Sequence, residues 1–209
     1  MRIAPEPEKR VFFTANSLQL EGCLYLAAEA KAVVITHPHP LYGGDLDNPV
    51  VATLTVAYQQ QGYSTLRFNF RGVGASGGHY AEGQGEQEDV RAAAAYLAGL
   101  GKTVTDLAGY SFGAWVNLHL EPPLTTVRRQ LVVSPPVALL PFTPVTPLPT
   151  LLAIVGDRDA FAPIALLQEE LSKWQVNTPL TILPGVDHFY WNGLTPLAEA
   201  VAALLGQSS

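Results

Sequence analysis

The segment Gly109-Tyr110-Ser111-Phe112-Gly113 places a serine between two glycines, each two residues away. It lies where a strand-like run, 104–110, hands over to a helix-like one, 112–120. A serine presented at such a turn sits on strained backbone, and flanking glycines remove side chains that would collide with the strand and helix beside it. The chemistry this suits is nucleophilic attack on an acyl carbon.

A hydroxyl becomes a useful nucleophile only when a base takes its proton, and an imidazole is the usual base. Of the five histidines, His188 stands just after the last strand-like run, in Pro184-Gly185-Val186-Asp187-His188-Phe189. His119 falls inside the helix that follows the serine and reads as structural, and His79 lies in a glycine-rich loop and reads as solvated. The imidazolium needs an anionic partner that also fixes its tautomer, and Val155-Gly156-Asp157-Arg158-Asp159 offers two. Asp157 follows the strand directly, where aspartate commonly makes turn hydrogen bonds. Asp159 lies further out toward His188, so the expected catalytic residues are Ser111, Asp159 and His188.

A tetrahedral intermediate also needs two N–H donors for its oxyanion. One is expected at Phe112, at the start of the helix. The other should come from His37-Pro38-His39-Pro40-Leu41-Tyr42-Gly43-Gly44, where Pro38 and Pro40 have no N–H, leaving Leu41 or Tyr42 as the donor. Two rival readings use the same chain. His37 and His39, with Asp45 and Asp47, could ligate a metal in a metal-dependent hydrolase, and a non-catalytic binding protein could share the architecture. The first would show sensitivity to EDTA, the second no reaction of Ser111 with a fluorophosphonate. The triad reading needs no cofactor and no metal, and its partner is a small-molecule acyl substrate.

The elements that must position these residues show in the pattern. Val11 to Ala15 and Leu18 to Ala27 alternate like an antiparallel hairpin turning at Asn16-Ser17. From Lys31 on, continuous apolar runs at 32–37, 63–70, 104–110, 130–134, 150–156 and 180–185 suit strands buried on both faces. Helices fit the stretches between, at 49–61, 86–100, 112–120, 163–174 and 196–205, several with proline near the first turn. Glu86, Glu88 and Asp89 suit the positive end of the 86–100 helix, and Gly101 its stop. The alternation predicts an α/β fold: a mostly parallel sheet with an antiparallel N-terminal hairpin and helices on both faces. The proline-rich stretch 137–150 reads as an irregular loop over the carboxyl edge of the sheet, not as a linker.

Composition narrows the class. At 209 residues, a single domain over 1–209 is expected. Apolar residues make up 48% and charged ones 14%, enough to bury a large sheet. A net charge of −6, with basic residues clustered no further than Lys9-Arg10 and Arg128-Arg129, argues against nucleic acid or anionic membranes as partners. The single cysteine, Cys23, cannot form an internal disulfide and reads as a small buried side chain. MRIAPEPEKR lacks the apolar run of a signal peptide and no stretch approaches a membrane span, so a cytoplasmic location is expected.

Taken together, HPHPLYGG (37–44), RFNFRGVGASGG (67–78), the acidic GQGEQEDV (83–90) and GYSFGA (109–114) resemble the α/β-hydrolase superfamily, and within it the small, lidless bacterial branch related to dienelactone hydrolases. The resemblance runs from Lys31 to His188 and implies a hydrolase fold without a cap domain. It implies Ser111 as nucleophile and supports Asp159, which matches the acid in a pattern of glycine, two residues, aspartate, a short apolar turn and proline, here Gly156 to Pro163. It also implies a structural turn at Arg71, Gly72 and Gly74. Dienelactone hydrolases use cysteine where this chain has Ser111, which argues against that particular activity. The resemblance points to a serine hydrolase of short-chain carboxylic esters or related acyl bonds.

Overall fold

The computed structural model describes residues 7–143, 150–174 and 180–206. The proline-rich loop expected over 137–150 therefore falls in part, at 144–149, outside the described residues. Among the described residues eight strands form one sheet: β1 (Lys9–Ala15), β2 (Leu18–Tyr25), β3 (Lys31–Thr36), β4 (Ser64–Phe68), β5 (Thr103–Tyr110), β6 (Arg129–Val133), β7 (Thr150–Gly156) and β8 (Leu180–Leu183), in the order β1-β2-β4-β3-β5-β6-β7-β8. The β1–β2 and β2–β4 pairs are antiparallel, and from β4 to β8 every pair is parallel. The hairpin closes over two residues because Asn16 accepts a φ of 54°, a left-handed conformation that asparagine tolerates.

Side-chain alternation along β3 builds the two layers of core. Ala32 and Val34 pack with Val90, Ala93 and Leu97 of α2 (Gln84–Gly99). Val33 and Ile35 pack with Val50, Leu54 and Tyr58 of α1 (Pro49–Gln60) and with Leu197 and Val201 of α5 (Leu194–Gly206). Successive strand residues point to opposite faces, so a strand covered on both sides carries apolar residues in succession, as in Ala32 to Ile35 of β3, Leu131 to Val133 of β6 and Leu151 to Val155 of β7. Leu167 and Leu171 of α4 (Ile164–Lys173) join Ala114 and Leu118 of α3 (Phe112–Leu118) over Val132, Ala153 and Val155. Among the described residues no helix is long and apolar enough to cross a membrane.

Local chemistry sets the ends of the helices. The Asn48 side chain accepts the Val50 amide ahead of Pro49, a proline at the first helical position. The acids read as dipole partners of α2 have more specific roles: Glu86 accepts the amides of Ala81 and Gly83, and Asp89 pairs with Arg71 at 2.7 Å. Arg71 thereby ties the turn holding Gly72 (φ 77°) and Gly74 (φ 56°) to α2. Because the strands are parallel, the loops after β3, β5, β6, β7 and β8 all emerge at one edge of the sheet.

Candidate active site

Ser111 joins β5 to α3 with φ 54° and ψ −118°, a strained conformation for a non-glycine residue. Its neighbours leave no room for larger residues. A Cβ on Gly109 would lie 2.5 Å from the Ala114 nitrogen, and one on Gly113 would lie 2.6 Å from the Thr36 oxygen and 2.7 Å from the His37 oxygen. The turn thus depends on glycine at both flanks, and Gly113 brings the start of α3 against the end of β3.

The loops after β7 and β8 bring Asp159 and His188 to this serine. Ser111 Oγ is 3.0 Å from His188 Nε2, and His188 Nδ1 is 2.9 Å from each carboxylate oxygen of Asp159. With Nδ1–H donated to the carboxylate, Nε2 presents a lone pair to the serine hydroxyl. Asp159 Oδ1 also accepts the amides of Phe161 and Ala162, each at 2.9 Å. Burial alone would raise the Asp159 pKa, but the hydrogen bond and charge of His188, with bonds from Ser134 and the Ala162 amide, hold it below the usual carboxylate value. Ser111, Asp159 and His188 are 7%, 4% and 6% exposed, so their interactions act in a largely water-free setting. Asp157 is exposed and accepts the Gly185 amide at 2.6 Å, a hydrogen bond to the turn after β8.

The two amides expected to supply the second oxyanion donor are already engaged. Leu41 N–H donates to His39 Nδ1 at 3.2 Å, and Tyr42 N–H donates to the His39 carbonyl at 3.1 Å. The chain after Pro40 curls into a single 3-10 turn, Pro40–Tyr42, whose amides are consumed in capping it. His39 itself lies between the two prolines, and among the described residues its amide has no acceptor. Its ring sits 4.7 Å from that of Phe112, centroid to centroid. Phe112 opens α3, where the first amides have no partner within the helix.

His37 and His119 hold the scaffold. Buried His37 accepts the Phe70 amide at Nε2 and lies 2.6 Å from the Pro38 oxygen through Nδ1, so both nitrogens serve the backbone and neither faces a metal. Burial pushes its pKa down to about 4. His119 is likewise bound on both sides, to the Trp115 oxygen and the Thr143 amide. Sequence reasoning missed a layer behind the acid and the base. Ser134 (φ 48°) and Tyr190 (φ 57°) are both buried, and their hydroxyls lie 2.9 Å apart. Tyr110 donates its hydroxyl to the main-chain oxygen of His188. The one signal for Ser134 was a polar residue closing the apolar run QLVVS at a strand end.

Comparison with known proteins agrees with this architecture. No family model matches the chain. It is 31% identical over 195 residues to an uncharacterized protein of Rickettsia prowazekii (strain Madrid E), covering 87% of this chain and 82% of that one. Among solved structures, a protein of unknown function from Agrobacterium tumefaciens superposes with a TM-score of 0.88 at 30% identity, covering 95% of each chain. An α/β serine hydrolase without a lid from Xanthomonas campestris gives 0.87 at 27%, covering 99% of this chain and 97% of that one. An α/β serine hydrolase homologue from Coxiella burnetii gives 0.86 at 29%, covering 98% and 100%. With this fold and these relatives, the chain belongs to the α/β-hydrolase superfamily, in its small branch without a lid.

Proposed function

We propose that this protein is a serine hydrolase that cleaves short-chain carboxylic esters or related acyl bonds through an acyl-enzyme, with residues 1–209 acting as one catalytic domain. The observation that carries the reading is the continuous chain from Ser111 Oγ through His188 to the Asp159 carboxylate. In the proposed cycle His188 Nε2 takes the serine proton as Oγ bonds to the acyl carbon. It then passes that proton to the oxygen of the departing alcohol as the acyl–oxygen bond breaks. A water molecule, deprotonated by the same nitrogen, attacks the acyl-serine and releases the acid, and the proton returns to Oγ. Asp159 stays ionised throughout and balances the imidazolium.

The oxyanion that forms in each half needs two preorganised donors. We assign them to the amides of Phe112 and His39, replacing Leu41 and Tyr42, because the latter two are bound internally. The test is replacement of Ser111 by Ala. Hydrolysis of an activated acetate or butyrate ester should fall by a factor on the order of 10⁴ to 10⁶ with the fold intact, and labelling by a fluorophosphonate should disappear. Activity within tenfold of the native protein would end the serine-hydrolase reading.

A further inference from the structure

We propose that Phe161 and Phe189 form a subsite for an aromatic leaving group, so that the preferred substrates are esters of arylmethyl alcohols. This rests on the serine-hydrolase reading above. In that reaction the oxygen of the departing alcohol must receive its proton from His188 Nε2, so the alcohol portion has to lie beside the imidazole. The residues proposed as oxyanion donors belong to a different ring cluster: the rings of Phe112 and His39 contact each other and Tyr80. The rings that contact His188 are Tyr110, Phe161 and Phe189. Tyr110 is buried beneath it. Phe161 lies 4.6 Å and Phe189 5.7 Å from the imidazole, and the two are 5.9 Å apart and nearly perpendicular.

These two rings form a corner around the base that opens outward, since Phe189 is 59% exposed and Phe161 partly so. Their backbones are fixed: the Phe161 amide donates to Asp159 and the Phe189 amide to Asp187. A flat ring on the alcohol side could meet one face-on and the other edge-on, the arrangements aromatic pairs favour. A saturated ring of similar size fills the corner without that complementarity.

The experiment compares kcat/KM for benzyl butyrate and cyclohexylmethyl butyrate, which share their acyl group and a primary alcohol. A preference for the benzyl ester of roughly fivefold or more is expected, from aromatic contacts that each contribute about twofold to tenfold. Phe189→Leu and Phe161→Leu should bring the ratio within twofold, while Phe189→Tyr should keep it. Fluorophosphonate labelling of Ser111 is followed in each protein. Labelling with a native ratio near one overturns the subsite alone, as does a ratio that survives both leucine variants or a ring preference seen instead between methyl phenylacetate and methyl cyclohexylacetate. Absence of both labelling and hydrolysis overturns the subsite together with the serine-hydrolase reading.

Discussion

Tyr110 donates its hydroxyl to the main-chain oxygen of His188 at 2.5 Å, so the residue before the proposed nucleophile grips the backbone of the proposed base across 78 positions of sequence. Burial holds the phenol protonated far above its usual range, so it remains a donor at any working pH. Tyr110→Phe leaves the carbonyl oxygen of His188 without this donor, at a cost of about 1–3 kcal/mol. For a chain of this size the thermal midpoint should fall by roughly 2–4 °C per kcal/mol. Turnover of a butyrate ester should fall about tenfold as His188 loses its fixed position. A melting curve and an ester assay on the same preparation check both.

The acid is identified by comparing two neighbouring substitutions. Asp159→Asn keeps the shape but favours the wrong imidazole tautomer, and turnover should drop by about 10⁴. Asp157→Asn replaces only an exposed acceptor of the Gly185 amide, and turnover should stay within a few-fold. Parallel kcat measurements decide it, and a large loss confined to Asp157→Asn would overturn the assignment.

Stability should depend on pH through the buried histidines. His37 in the folded protein has a pKa of about 4, because burial disfavours its charged form, and burial lowers His39 and His119 as well. The unfolded chain takes up protons at these groups below about 6.5, so it binds more protons than the folded one and loss of stability begins there as pH falls. His37 alone should remove about 2 kcal/mol between pH 7 and pH 5. Asp159 adds nothing in that window: a lowered carboxylate pKa contributes stability that is lost only below the ordinary aspartate range. The urea midpoint at the two pH values is the measurement, and equal midpoints would refute the effect.

Acyl groups of about two to six carbons should be preferred. The chain belongs to a branch without a lid, and each further methylene is worth about 0.8 kcal/mol only where a surface exists to bury it. A series of nitrophenyl esters from C2 to C16 should give its highest specificity constant in the short range.

Much of the fold was legible because it follows from local rules. The apolar runs of β3, β6 and β7 follow from cover on both faces, and Gly101 and the prolines mark helix ends. The boundaries moved by one or two residues in most elements, and the helix after Ser111 stops at Leu118, two short of its expected end at Leu120. The serine turn and the acid–histidine order were legible because strained turns and strand ends leave glycine and polar punctuation. The hydrogen bonding of the HPHP loop was not. Excluding the prolines was sound, but which remaining amide stays open depends on the Pro40–Tyr42 turn and on the His39 ring accepting the Leu41 amide. The pairing of Ser134 with Tyr190 was equally hidden, since a hydroxyl pair 56 residues apart has no local pattern.

The sheet order has a consequence for biosynthesis. His188 follows β8, a four-residue strand at the outer edge of the sheet, and comes 77 positions after Ser111 in the chain. On the ribosome the serine therefore emerges, and β5 can pair with β3, long before its base has been made. Until β8 adds to β7, the Ser111 hydroxyl lacks the His188 partner it has in the folded chain. Among the described residues β8 is the last strand in the chain, so the proposed centre is assembled only when the sheet is whole.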